Sequence, residues 1–229
     1  MNIIHAEDLQ QTAALRIIYA NPGTGKTTSL QYMPGKKLIV DIDGTSSVLK
    51  SLPNIDIVTV DDPDNIREEL PKLLQEIKNT ALDQYDSIAL DNITEMENAI
   101  LTEYGKKGNN HGVPGIQNYQ QLQFFELDLI RYLKSFKKNI TITAWEDTDQ
   151  FVEESSGQSF TRTYPKVRKP ILTNVMGLAL QVGRLQISPK TGKRGIILKP
   201  SNSTFAKNQI DDREFALPED LYEVPDANV

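Results

Sequence analysis

Short apolar runs alternate with amphipathic segments over the first two thirds of the chain, and this pattern predicts an α/β fold. Apolar runs bounded by turn residues are typical of buried strands. They occur at Leu15–Ala20, Lys37–Asp43, Asn54–Val60, Ser87–Asp91 and Asn139–Trp145. Helical periodicity is clearest over Tyr119–Phe136, where apolar residues recur every three or four positions. Strands that alternate with helices favour a mostly parallel central sheet flanked by helices.

Proline and glycine indicate where some of the other predicted helices end or bend. Pro34 and Gly35 end a helix that begins near Lys26. Pro71 is expected to kink or divide the helical segment Asp64–Asn79, because proline removes a backbone donor and clashes with the preceding turn. The remaining helices are expected at Thr94–Tyr104 and Pro170–Leu180.

The last third of the chain is less regular. Glu146–Tyr164 is polar and is expected to form a long loop or an excursion hairpin. Two short apolar runs, Val182–Ile187 and Gly195–Lys199, flank a turn-rich segment and predict a C-terminal β-hairpin. The acidic tail is expected to be loose from about Pro218. With 229 residues and no internal repeat, the chain is expected to form a single domain over residues 1–229.

The amino-acid composition excludes several kinds of site and catalysis. The chain lacks cysteine, which excludes disulfides, thiolate catalysis and cysteine-based zinc sites, and its two histidines are too few for a typical histidine metal site. The formal charge of −6 means that any binding of nucleic acid needs a local basic patch. Neither a signal peptide nor a membrane-spanning apolar stretch is readable, so a soluble cytoplasmic protein without membrane contact is expected.

A phosphate-binding P-loop is predicted between the first strand and the first helix. The segment Ala20–Thr27 matches its pattern, with Ala in place of the first Gly. Small residues let backbone N–H groups surround phosphate oxygens at a helix N-terminus. Lys26 is expected to be the only side-chain cation of this cradle, and Thr27 to bind magnesium through its hydroxyl. The residues expected to bind ATP are Asn21, Pro22, Gly23, Thr24, Gly25, Lys26, Thr27 and Thr28.

Carboxylates at the ends of the predicted strands are candidates for the remaining roles. Asp91 ends a buried strand and is expected to hold Mg²⁺ together with Thr27. Asp41 and Asp43 occupy alternate positions and could share one face. We take Asp43 as the candidate base for the water that attacks the γ-phosphate. Glu146 ends the fifth strand and is a candidate sensor of that phosphate.

With the P-loop, Asp41-Ile42-Asp43 and Leu90-Asp91-Asn92, the chain resembles the phage nucleotide-binding P-loop proteins. These belong to the RecA-like ATPases and are related to phage single-strand annealing recombinases. The resemblance extends from about Arg16 to Leu221, and it implies a RecA-like P-loop NTPase fold. In RecA-like proteins a Glu at the position of Asp43 acts as the base, so this chain has a side chain one methylene shorter.

The resemblance also implies an oligomer and mobile loops that hold single-stranded DNA. By position those loops would be 105–115 and 147–166, and they contain few cations. Lys207 would correspond to a basic residue that reaches the nucleotide of a neighbouring subunit. The candidate DNA-binding residues are Lys106, Lys107, Arg162 and Lys166.

Two functions are consistent with these features. The first is a Mg-dependent ATPase of phage DNA recombination or replication that acts, as a homo-oligomer in the cytoplasm of a bacterial host, on single-stranded DNA. The second is a nucleotide-switched helicase loader or replication adaptor, with slow turnover and little DNA affinity. The acidic charge favours the second, and replication or recombination proteins are possible partners of either. A small-molecule kinase would need an Arg-rich lid that the sequence lacks.

Overall fold

Ten strands in the described part of the chain form one sheet, flanked by helices, in the computed structural model. The structure describes His5, residues 13–153 and residues 155–223. The strands are β1 Leu15–Ala20, β2 Lys37–Asp41, β3 Ile55–Thr59, β4 Ser87–Asp91, β5 Asn139–Val152, β6 Ser159–Pro165, β7 Gln181–Ile187, β8 Arg194–Ile197, β9 Lys207–Asn208 and β10 Phe215–Ala216. The helices are α1 Lys26–Ser29, α2 Ile66–Thr80, α3 Ile93–Lys107, α4 Ile116–Lys134 and α5 Lys169–Leu178.

The strand order is β10-β8-β7-β1-β5-β4-β2-β3. All neighbouring pairs from β7 to β3 are parallel, so these strands end at one edge of the sheet. β8 pairs antiparallel with β7 and forms the C-terminal hairpin, while β6 pairs antiparallel with the end of β5. The predicted α/β class, the mostly parallel sheet and the hairpin are therefore confirmed. β5 lies between β1 and β4, an order that sets the geometry of the site below.

The core lies on both faces of the central strands. β1 is buried along its whole length, and its side chains alternate between two apolar clusters. Ile17 and Tyr19 pack with residues of α2 to α5 on one face, whereas Ile18 and Ala20 pack with β7 and β8 on the other. This alternation follows from the two-residue period of a strand. Burial on both faces fixes the position of β1, and with it the start of the loop at Ala20.

Several element boundaries differ from the sequence prediction. α1 is a single turn that continues as a 3-10 helix to Tyr32. Pro71 does not divide α2, which is one helix from Ile66 to Thr80. The polar segment after Glu146 is a hairpin of β5 and β6, one of the two predicted alternatives. α3 continues to Lys107, so Lys106 and Lys107 lie in its last turn and not in a loop.

The beginning of the predicted loose tail is packed against the sheet. Leu221 is buried, and the Tyr222 hydroxyl lies 3.0 Å from Thr141 Oγ1. The Arg16 guanidinium lies 5.1 Å from the centre of the Tyr222 ring, and burial raises the pKa of Tyr222 to about 12. Apolar and aromatic contacts thus hold the start of the tail against the sheet. The prediction of a loose tail from about Pro218, which rested on its acidic residues, is wrong for this part. Residues 224–229 lie outside the described residues.

No helix in the described part of the chain combines the length and the apolar character needed to cross a membrane.

Candidate nucleotide site

The loop between β1 and α1 has the backbone shape that its glycines permit. Gly23 and Gly25 have φ angles of 79° and 104°, in the left-handed region that favours glycine. The Thr24 hydroxyl donates to the Asn21 carbonyl at 2.8 Å and ties the two sides of the loop together. Ser29 N–H donates to the Gly25 carbonyl at 2.9 Å, which starts α1 directly after the loop. The first N–H groups of the helix therefore face the space above the loop.

Lys26 is held along the inside of this loop. Its Nζ donates to the Ala20 carbonyl at 3.1 Å and to the Asn21 carbonyl at 3.3 Å. Burial lowers the pKa of Lys26, and the nearby charges of Asp91, Asp43 and Glu146 oppose that shift. The ammonium thus lies inside the loop with acidic groups nearby, and Lys26 lines a cavity in which a polyphosphate would meet it.

Asp91, at the end of β4, meets Thr27 across the site. Thr27 Oγ1 donates to Asp91 Oδ2 at 2.6 Å, and the hydroxyl of Thr143 on β5 donates to the other carboxylate oxygen. Burial raises the pKa of Asp91, and both hydrogen bonds counteract the shift. A hydroxyl beside a buried carboxylate is an all-oxygen donor pair, which fits Mg²⁺. Thr143 belongs to the strand between β1 and β4, so the strand order brings it here.

Asp41 and Asp43, whose alternate spacing allows them to share a face, have different hydrogen-bond partners. Asp41 accepts hydrogen bonds from Gly44 N–H at 2.9 Å and Ser46 N–H at 3.1 Å, which hold the turn after β2. Asp43 Oδ1 accepts from Thr45 Oγ1 at 2.6 Å. Its Oδ2 accepts from Asn92 Nδ2 at 2.5 Å. Asp41 therefore shapes the turn, and the Asp43 carboxylate is held from two sides.

Lys26, Thr27, Asp43 and Asp91 line one cavity of about 330 Å³ at the carboxyl edge of the sheet. The size is in the range of small-ligand pockets. Its lining residues are Pro22, Gly23, Gly25, Lys26, Thr27, Thr28, Asp43, Thr45, Val48, Asp91, Trp145 and Arg194. The fold thus brings Asp43 and Asp91 to the adjacent pair Lys26 and Thr27, from which they are distant in sequence. Val48, Thr45 and Arg194 were not identified from the sequence.

Glu146 lies beside this cavity and is not among its lining residues. Arg184 of β7 donates to both of its carboxylate oxygens, at 2.8 and 2.9 Å. Asn21 Nδ2 also lies within hydrogen-bonding distance of Glu146, at 3.3 Å. A bidentate arginine pair holds a carboxylate in a fixed orientation. Glu146 therefore connects β7 to the start of the P-loop, and its role as a γ-phosphate sensor remains a prediction.

A family model described as an AAA domain matches residues 13–210. The chain belongs to the AAA domain family. Among solved structures, the chain is similar to a KaiC-like protein from the hyperthermophilic archaeon Pyrococcus horikoshii OT3, at 13% identity over 80% of this chain and 77% of that chain, with a TM-score of 0.40. It is also similar to the RadB recombinase, at 15% identity over 80% and 79% of the two chains, with a TM-score of 0.46. No curated protein sequence matches it.

Lys207 of this AAA domain has a structural contact within its own chain. It lies on β9, which pairs with the start of β7, away from the sheet edge that carries the P-loop. Its Nζ donates to the carbonyls of Ala179, at 2.6 Å, and Gly177, at 3.2 Å, and so caps the C-terminus of α5. A contact with the nucleotide of another subunit remains a prediction.

The four candidate DNA-binding cations lie in two places in the AAA domain. Lys106 pairs with Asp64 at 2.6 Å and Lys107 pairs with Glu103 at 2.9 Å, both at the end of α3. Arg162 lies on β6, opposite Asp149 in the β5–β6 pairing. The Lys166 ammonium lies 5.9 Å from the centre of the Trp145 ring. The last two residues therefore lie on or next to the excursion hairpin, whose first strand contains the cavity residue Trp145.

The single tryptophan gives this AAA domain an intrinsic optical probe. Trp145 lines the cavity and is partly buried, so bound Mg–ATP should alter the polarity around its ring. We expect its emission to change in a saturable way during a fluorescence titration with Mg–ATP. The Lys26→Ala variant is the control and should give little change over the same range of nucleotide concentration. A flat titration of the wild-type protein, with binding established by another method, would place Trp145 outside the site.

Proposed function

We propose that this AAA domain binds ATP with Mg²⁺ and hydrolyses it. The observation that carries the proposal is the placement of Lys26, Thr27, Asp43 and Asp91 around one cavity at the end of the P-loop. These four side chains supply a cation for the phosphates, two oxygen donors for a magnesium ion and a carboxylate for a water molecule.

Different residues of the site bind the phosphates, hold the magnesium ion and accept the proton from water. Backbone N–H groups of the loop and α1 bind the phosphates, and Lys26 exchanges its carbonyl partners for phosphate oxygens. Thr27 and Asp91 would hold Mg²⁺, which neutralises charge on the phosphates when it is bound. Asp43 accepts the proton of the attacking water. The hydrogen bonds from Asn92 and Thr45 fix the orientation of the Asp43 carboxylate.

The biological role that we propose is phage DNA recombination or replication, with the AAA domain acting as an oligomer on single-stranded DNA. Its support is the resemblance of the P-loop, Asp41-Ile42-Asp43 and Leu90-Asp91-Asn92 to the phage RecA-like proteins. Arg162 and Lys166 add support because they lie on or next to a hairpin that begins at the nucleotide cavity. A nucleotide could therefore influence the hairpin through Trp145.

A second candidate is a nucleotide-switched loader or adaptor with little DNA affinity. The ion pairs of Lys106 and Lys107 favour it, since acidic partners already neutralise two of the four candidate cations. Asp149 is the register partner of Arg162 in the β5–β6 hairpin, and its carboxylate pairs with Lys169 at 2.6 Å. An acidic residue therefore also lies beside this part of the hairpin. A net charge of −6 adds long-range repulsion toward a polyanion.

Binding of single-stranded DNA separates the two candidates. Each subunit offers few cations, so we expect measurable affinity only when ATP or a non-hydrolysable analogue aligns several subunits along one strand. The affinity should fall steeply with salt, because counterion release would supply most of it. The measurement is fluorescence anisotropy of a labelled oligonucleotide, with and without nucleotide, at two salt concentrations, alongside ATP turnover with and without the oligonucleotide.

The double variant Arg162→Ala and Lys166→Ala should lose the nucleotide-dependent affinity, and Arg131→Ala on α4 is the control for the loss of a surface cation. No binding at low salt in the presence of ATP would favour the loader or adaptor. Strong binding without nucleotide would contradict the role of assembly.

A further inference from the structure

The nucleotide cavity contains a second side-chain cation, contrary to the expectation that Lys26 would be the only one. Arg194 is the first residue of β8, and its side chain reaches across to the P-loop. Its Nε donates to the Thr24 carbonyl at 2.7 Å, and the residue lines the same cavity as Lys26 and Thr27. The C-terminal hairpin therefore delivers a guanidinium to the phosphate-binding loop of its own chain.

Most of the hydrogen-bonding capacity of Arg194 is unused by the protein. Within residues 13–153 and 155–223, no carboxylate pairs with it, and its Nη1 and Nη2 atoms donate to no protein acceptor. Two other arginines of the same region differ in this respect, since Arg184 pairs with Glu146 and Arg213 pairs with Asp211. An arginine has five N–H donors, and only the one on Nε is committed here. The remaining donors can meet an anion in the cavity.

Gly25 makes this approach possible. A Cβ atom at Gly25 would lie 2.8 Å from Arg194 Nε, closer than ordinary contacts allow. The absence of a side chain therefore lets the guanidinium lie directly against the loop, next to the residue that begins α1. Glycine at this position therefore permits two things: the backbone φ of 104° and the close approach of the Arg194 side chain.

The direction of approach indicates which part of a nucleotide Arg194 would meet. In the sheet, β8 and β7 lie on one side of β1, whereas β5, β4 and β2 lie on the other. Asp91 is the last residue of β4 and Asp43 follows β2, so the candidate metal ligand and base reach the cavity from the flank opposite to Arg194. The groups that act on the γ-phosphate and its attacking water are thus separated from the guanidinium.

We propose that Arg194 binds the α- and β-phosphates, the part of the phosphate chain that ATP and ADP share, in the nucleotide held by its own chain. This inference rests on the proposed function. A guanidinium binds phosphate oxygens through charge-assisted, bidentate hydrogen bonds, which a lysine reproduces only as a point charge. Arg194 then contributes to the affinity for both nucleotides and leaves the cleavage step to Asp43.

The test compares the dissociation constants of Mg–ATP and Mg–ADP for the wild-type protein and for three variants. Arg194→Ala should weaken both nucleotides by a similar factor, on the order of tenfold. Arg194→Lys should recover part of the affinity. Arg194→Gln, which keeps a donor for the Thr24 carbonyl without the charge, should remain as weak as the alanine variant. Arg131→Ala on α4 is the matched control, and thermal unfolding without nucleotide checks that each variant folds.

Three results would overturn the assignment of Arg194. A loss for ATP alone would move the guanidinium to the γ-phosphate. Unchanged affinities in Arg194→Ala would leave it no role in nucleotide binding. Wild-type affinity in Arg194→Gln would show that the hydrogen bond to Thr24 matters and the charge does not. A wild-type protein that binds neither nucleotide would instead contradict the proposed function itself, so the two failures are distinguishable.

Discussion

Replacing Asp43 by asparagine should leave ATP binding nearly intact and lower turnover by roughly 10²-fold or more. Asparagine keeps the size of the side chain and can still contact Thr45, but it cannot accept a proton from water. Asp43 lines the cavity, and its carboxylate is oriented by Asn92 and Thr45. The measurement is steady-state phosphate release at saturating Mg–ATP, with the ATP dissociation constant determined separately.

Asp128→Asn is the matched control for this experiment, because it makes the same chemical change on the exposed surface of α4. It should turn over ATP at the wild-type rate. Glu146→Gln tests the other carboxylate near the loop. Normal turnover in Asp43→Asn together with a large loss in Glu146→Gln would show that the base had been assigned to the wrong residue.

Lys26→Ala should remove most of the affinity for ATP, roughly 10²-fold, because it deletes the cation that lies inside the loop. The fold should persist, since the ammonium is buried at a cost and contacts only loop carbonyls. The measurement is the rise in melting temperature that saturating Mg–ATP gives, which reports binding to the native state. This rise should be nearly lost in the variant.

Lys72→Ala, on the exposed face of α2, is the control and should keep the full ATP-dependent rise. A folded Lys26→Ala protein with an undiminished rise would contradict the assignment of the P-loop. A weaker effect than expected, with Arg194→Ala additive to it, would indicate that the two cations share the phosphates.

The sequence predicts the parts of the fold that follow from local periodicity. Apolar runs such as Ser87–Asp91 are buried strands because both faces of a parallel sheet are covered. Lys26, Thr27 and Asp91 could be identified as candidate site residues from the sequence. The spacing of the P-loop residues and the carboxylate at the end of a buried strand are both sequence patterns. The parallel strands then bring these residues to the same edge of the sheet.

The remaining contacts depend on strand order and on hairpins, which periodicity does not encode. Thr143 reaches Asp91 because β5 lies between β1 and β4. Arg194 reaches Thr24 because the C-terminal hairpin packs beside β1, 170 residues from the loop in sequence. Tyr222 contacts Thr141 because an aromatic ring fills space against the sheet, whereas the surrounding charges predicted a mobile tail.

Calorimetric titration of the wild-type protein with ATP, in excess Mg²⁺, measures directly whether the P-loop binds nucleotide. We expect saturable binding at a single site per chain, competed by ADP and abolished or greatly weakened in Lys26→Ala. Absence of binding in a folded wild-type protein, or equal binding in Lys26→Ala, would contradict it.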